Sequence, residues 1–212
     1  IWCPYFDFQR NYANIRSHIH TQDSFMYKAS EFGKGIRILR QDPWEMIITF
    51  IISQRKNIPA IKKAVEEIST AFGTKVKTPY EVIYAFPEAT TLFEQMTHTN
   101  GQSLKLGYRL PYVEDAIKQV TTNPIVLDKI HRASTEEGRN ILKNIHGIGN
   151  KVADCILLFA YGRTEIAPID TWINKVIEIN YNGLNPFPTY KDAAGIMQQY
   201  AFYYAIHQRN EY

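Results

Sequence analysis

At 212 residues, with 45% hydrophobic and 21% charged side chains, the chain has enough apolar material for one compact unit or two small lobes sharing a cleft. No apolar run nears the roughly 20 residues that span a bilayer, because the run at 46–52 contains Thr49 and meets Ser53, Gln54 and Arg55. A net charge of +3 permits a polyanionic partner without requiring one, and the two cysteines, Cys3 and Cys155, are too few for a disulfide scaffold or a zinc or iron–sulfur cluster.

The dominant period is helical. Trp44, Ile47, Ile48, Ile51 and Ile52 follow the i, i+3, i+4, i+7, i+8 spacing of a buried stripe, with Asp42 as its cap, Pro43 at its first position and Glu45 where a capping-box acid belongs. A second helix is predicted from Asn57, with Ile58, Ile61, Val65 and Ile68 on one face and Gly73 as its stop. Further starts are predicted at Thr78-Pro79, before Tyr112, at Ser134 with Glu137 three residues on, near Asn150 and near Thr171. The last is placed at Thr189, with Ala193, Met197, Tyr200 and Tyr204 facing inward. Short connectors at 33–35, 121–124 and 182–188 separate them, and no alternating strand pattern stands out beyond the first few residues. The expected class is all-α.

Residues 144–154 read N-I-H-G-I-G-N-K-V-A-D. Two glycines one residue apart, Gly147 and Gly149, let the backbone turn tightly with positive φ and approach another surface closely. The amides opening the next helix are then free to face a phosphate. An ordinary αα-hairpin with a glycine turn would use the same residues. Lys151 falls in the first turn of the second helix, where the partial positive charge of the helix end disfavours a cation and, with partial burial, would make the amine a better nucleophile. Asp170 follows 19 residues later in A-P-I-D-T-W, placed to cap another helix and, held near a lysine, to stabilise a cationic sugar. Cys155 and Phe159 are spaced i, i+4, as are Gln198 and Phe202, so each pair shares one helix face. By spacing alone Cys155, Phe159 and Phe202 read as core and Gln198 as exposed.

Five stretches together resemble the 8-oxoguanine DNA glycosylase/lyases, within the helix-hairpin-helix DNA glycosylases: G-I-R-I-L-R-Q-D-P-W-E at 35–45, L-G-Y-R at 106–109, H-G-I-G-N-K-V-A-D-C at 146–155, P-I-D at 168–170 and G-I-M-Q-Q-Y-A-F at 195–202. The likeness runs from about Tyr5 to Phe202. It implies two helical lobes flanking an active-site cleft, with the hairpin at about 144–151. It places the nucleophile on Lys151 and the assisting carboxylate on Asp170. Attack on the deoxyribose C1′ would displace the damaged base, and the resulting Schiff base would permit β-elimination on the 3′ side of the lesion. The base, flipped out of the duplex, would stack on Phe202 and bond Gln198, with Cys155 on its other face and Phe159 nearby. Tyr108 and Arg109 would wedge into the gap and meet the orphaned base. Arg55, Lys56 and Asn57 would complete the strand-contacting surface, and His146, Gly147 and Gly149 would form the hairpin's contact with DNA.

The implied partner is double-stranded DNA with a damaged base, handled by a monomer inside a reducing, intracellular compartment without membrane, metal or cofactor. The chain opens at Ile1 rather than Met and reads as part of something longer, starting where the family's N-terminal antiparallel β domain should end. Trp172 stands where a histidine is usual, Gln54-Arg55-Lys56-Asn57 replaces an asparagine-rich stretch and Ala60 replaces an arginine, so weak preference for the base opposite the lesion is expected. Two other readings compete: a glycosylase for another damaged base, and a non-catalytic hairpin module that binds duplex DNA and nicks nothing.

Overall fold

The computed structural model describes residues 2–99 and 106–208. Helices α1 (Trp2–Tyr5), α2 (Tyr12–Ser17) and α3 (Ser24–Phe32) come first. They are followed by α4 (Pro43–Ser53), α5 (Ile58–Phe72), a hairpin of β1 (Lys75–Lys77) and β2 (Val82–Tyr84), α6 (Ala89–Thr99), α7 (Leu110–Thr122), α8 (Val126–Arg132) and α9 (Thr135–Lys143). Then come α10 (Asn150–Tyr161), α11 (Thr171–Tyr181) and α12 (Ala194–His207). The all-α class holds, and no described helix is long and apolar enough to cross a membrane. Two compact units form, Ile1–Gln41 with Leu157–Tyr212, and Asp42–Ile156, the division falling inside α10.

The unit of residues 42–156 is built around α4, which packs on α5 and α7. Its stripe of Trp44, Ile47, Ile48, Ile51 and Ile52 is buried throughout, each isoleucine contributing about 2 kcal/mol of transfer free energy. Asp42 caps the helix by accepting from Glu45 N, and the Trp44 indole donates to Pro87 O. Asn57 caps α5 through Ala60 N. Ser134 and Glu137 close a full capping box at α9, and the Ser134 backbone N–H and hydroxyl, both donating to Glu137 Oε2, hold its carboxyl below its usual range.

In the other unit, α12 is buried along most of its length and packs on α3 and α11. Tyr200, Met197 and Ala201 meet Met26, Ala29, Ile173, Val176 and Phe187 in one core. Two carboxylates tie the surrounding segments together. Asp7, buried and in the left-handed region, accepts from Arg10 Nε and from the Tyr12 hydroxyl and lies 3.6 Å from Arg40 Nη2. Burial, with Asp7 adding to it, pushes the Tyr12 phenol up to about 12. Asp23 caps α3 and accepts from the Tyr181 and Tyr190 hydroxyls; burial and this carboxylate push Tyr190 up.

Four expectations change. Thr78-Pro79 opens a turn, not a helix: the Thr78 hydroxyl accepts from Glu81 N and donates to Glu81 O, closing the short hairpin of β1 and β2. A Thr-Pro pair with an acid shortly after suits both structures, and three-residue exposed strands show no alternation. The first residues form a helical turn, not a strand. Ile58 is 61% exposed because, at the first helical position, it projects beyond the helices that cover Ala64 and Ile68. α12 starts at Ala194, since Thr189 bonds back to Pro186 O and Lys191, at φ +48°, interrupts the preceding 3-10 segment.

A Cβ at Gly73 would run into the backbone oxygens of Ala85 and Ser69. Gly73→Ala is therefore expected to lower unfolding free energy by about 1–3 kcal/mol in urea titrations. An unchanged midpoint would contradict the close approach of β2 to the end of α5.

Candidate nucleic-acid interface

The hairpin expected at 144–151 lies between α9 and α10. Gly147 has φ +84°, and a Cβ there would collide with the Tyr112 ring, so the turn requires glycine twice over. Gly149 differs: its φ is not positive, and among the described residues nothing lies within 4 Å of where its Cβ would be. The fold itself makes no use of its missing side chain, which leaves that backbone open to an outside surface.

The hairpin is held from α4 and α7. Gln54 donates from Nε2 to Gly147 O at 3.1 Å, Asp115 accepts from His146 N at 2.7 Å, and Gln119 donates to Asn144 O at 3.0 Å. The exposed His146 ring stands edge-on against Tyr112. Across the turn, Arg139 of α9 bonds Asp154 of α10 at 2.6 Å and also pairs with Glu136. Burial pushes the Asp154 carboxyl up although Arg139 pulls it down. The first amides of α10, like those opening any helix, have no partner within the helix.

Lys151 is exposed in that first turn, its amine 5.9 Å from the centre of the Phe50 ring. The 54–57 loop follows α4 in the same unit. Arg55 and Asn57 are exposed, Lys56 is half-buried, and Arg55 sits in the left-handed region at φ +54°, a strained conformation for a non-glycine. That twist follows Gln54, whose carbonyl accepts from the Tyr108 hydroxyl at 3.3 Å and from Arg109 Nε at 2.9 Å and Nη2. Arg109 is only 7% exposed and lies 4.3 Å from the Tyr108 ring, which is half exposed. The 54–57 loop, the 106–109 turn, the hairpin and Lys151 belong to one unit, and the loop, the turn and the hairpin meet through one residue, Gln54, which spacing alone does not single out.

Cys155 is buried in α10. In the other unit Phe159, Phe202 and Trp172 are half-buried against the core, and Lys175 lies over the Trp172 ring. Gln198 is 3% exposed, not at the surface, with its side-chain oxygen accepting from Gln199 Nε2. Asp170 caps α11, its Oδ1 accepting from Ile173 N at 2.8 Å.

Residues 1–47 match the family described as 8-oxoguanine DNA glycosylase, N-terminal domain. A solved structure of MBOgg1 with a low-affinity DNA ligand superposes with a TM-score of 0.91 at 38% identity, over 99% of this chain and 75% of that one. The 8-oxoguanine glycosylase/lyase of Clostridium acetobutylicum, in complex with dsDNA containing cytosine opposite 8-oxoG, gives a TM-score of 0.88 at 34% identity, over 99% and 74% of the two chains. The N-glycosylase/DNA lyase of Saccharomyces cerevisiae is 31% identical over 159 residues, covering 70% of this chain and 42% of the yeast protein. The chain spans about half the length of the curated relatives it matches. By sequence and fold, the chain belongs to the helix-hairpin-helix family of 8-oxoguanine DNA glycosylases.

Proposed function

We propose that this protein excises oxidised purines, 8-oxoguanine above all, from duplex DNA and then cleaves the strand at the abasic site. The observation that carries the reading is the exposed Lys151 amine in the first helical turn after a hairpin whose Gly149 backbone lies open. A helix end that holds a phosphate on its amides fixes the sugar beside it. The lysine is then within one turn of the strand it holds.

The lone pair of the Lys151 amine attacks C1′, the bond from C1′ to the purine breaks, and the base leaves with the proton that the new C–N bond displaces from the amine. Asp170 is the carboxylate that offsets the positive charge developing on the sugar. Ring opening gives the Schiff base; loss of a C2′ proton then expels the 3′ phosphate. The flipped base stacks on Phe202 and bonds Gln198, whose buried amide rejects a partner that leaves it unpaired. Cys155 and Phe159 supply the other walls. On the duplex, Arg55, Lys56 and Asn57 follow the strand, His146, Gly147 and Gly149 hold the phosphate, and Tyr108 fills the gap. Arg109 reaches the orphaned base only by giving up its bonds to Gln54. Such an enzyme works where DNA is, inside the cell.

Borohydride added during reaction with a duplex carrying one 8-oxoguanine is expected to trap a covalent adduct, absent in Lys151→Gln. No adduct with either that duplex or an abasic one would leave a binding module; an adduct with the abasic duplex alone would move the doubt to the base pocket. With Ala60 in place of an arginine and Arg109 engaged, cleavage rates opposite cytosine and adenine should agree to within about tenfold, the worth of one good base contact at about 1.4 kcal/mol. A larger cytosine preference contradicts this. Gly149→Ala should leave unfolding free energy within about 0.5 kcal/mol and weaken duplex binding about tenfold. Unchanged binding would remove the hairpin from the interface.

A further inference from the structure

A second basic site lies in the unit that does not carry Lys151. The first 41 residues hold six Lys and Arg against three Asp and Glu, a surplus equal to that of the whole chain. Four of those cations, Arg10, Arg16, Lys34 and Arg37, line one cleft of about 330 Å³ beside α2.

The three arginines are anchored, each through one nitrogen. Arg10 is held by Nε on Asp7, Arg16 by Nη1 near the Tyr200 hydroxyl at 3.4 Å, and Arg37 by Nη1 on Asp7 O at 2.8 Å. Arg37 also lies over the Phe8 and Tyr12 rings, at 5.2 and 4.8 Å. A guanidinium has five N–H donors, so one anchored nitrogen leaves a fork free and fixes its direction. Of the neighbouring carboxylates, Asp7 is buried and bonded to Arg10 and Tyr12, and Glu31 faces Lys34 at 3.7 Å. Among the described residues no carboxylate lines the cleft. Holding three guanidinium groups together costs repulsion, which a tetrahedral dianion or a phosphodiester would offset with paired hydrogen bonds.

We propose that this cleft binds a phosphate group, either in a DNA backbone or as free phosphate. Borohydride trapping on an abasic duplex reports the Lys151 chemistry separately from occupancy of this cleft.

The test compares the whole protein with Arg16→Gln/Lys34→Gln and with a charge-matched Lys28→Gln/Lys118→Gln control. Duplex affinity is measured across salt concentrations, and thermal unfolding is followed in inorganic phosphate against chloride at equal ionic strength. If the source is DNA, the cleft variant loses affinity about tenfold at low salt, and its slope of log affinity on log salt shrinks by about 1–2, beyond the control's change. If the source is free phosphate, phosphate raises the midpoint of the wild type and the control but not of the cleft variant, and duplex binding is unchanged. Equal behaviour of cleft variant and control in both assays overturns the proposal. Should the double variant fail to fold, Lys34→Gln, whose side chain is 63% exposed, carries the same comparison.

Discussion

Gln54 is the residue on which the joining of the glycine hairpin to the 106–109 turn depends. Its side-chain amide holds the Gly147 carbonyl in the hairpin, and its own carbonyl holds Arg109 and the Tyr108 hydroxyl. A buried guanidinium is costly unless its hydrogen bonds are met. Here the Gln54 and Leu106 carbonyls meet them. The same arrangement leaves Arg55 in a left-handed conformation and the Tyr108 ring half exposed. Strain and a buried charge, both unfavourable alone, are thus offset by one shared carbonyl, and the hairpin that precedes Lys151 is braced by the same residue.

Charge is used sparingly and in depth elsewhere. Arg139 and Asp154 clasp α9 to α10 across the glycine turn, so the helix that presents Lys151 is fixed to the one before it. In the other unit Asp7 gathers Arg10, Tyr12 and Arg40, while Arg37 and Arg40 come from the G-I-R-I-L-R stretch. That stretch therefore owes its arginines to fixing the first dozen residues, and one of them, Arg37, also faces the basic cleft. Asp23 does the equivalent work for α3, α11 and the segment before α12.

Caps and long apolar stripes were legible in the sequence because they are local. Asp42, Asn57, Ser134 and Asp170 each cap the helix their spacing called for. The short helices α1, α2, α3 and α8 have too few turns to show a period, and the hairpin of β1 and β2 exposes both faces, so neither period appears. Lys151 and the hairpin stood out by motif. What braces them did not: Gln54 and Gly147 are 93 residues apart, and Asp115 and His146 are 31 apart. A polar residue closing an apolar helix directly before a basic pair was the available signal for Gln54. The burial of Gln198 and Arg109 depends on what packs around them, and no short-range pattern carries that.

On the proposed reading, the Lys151 amine forms the covalent bond to the sugar. The most direct test of this is to digest the borohydride-reduced protein–DNA adduct and locate the added mass by peptide sequencing in a mass spectrometer. The sugar remnant should sit on Lys151, in the peptide running through V-A-D-C-I-L-L. A remnant on any other lysine, or on the terminal amine, would contradict it.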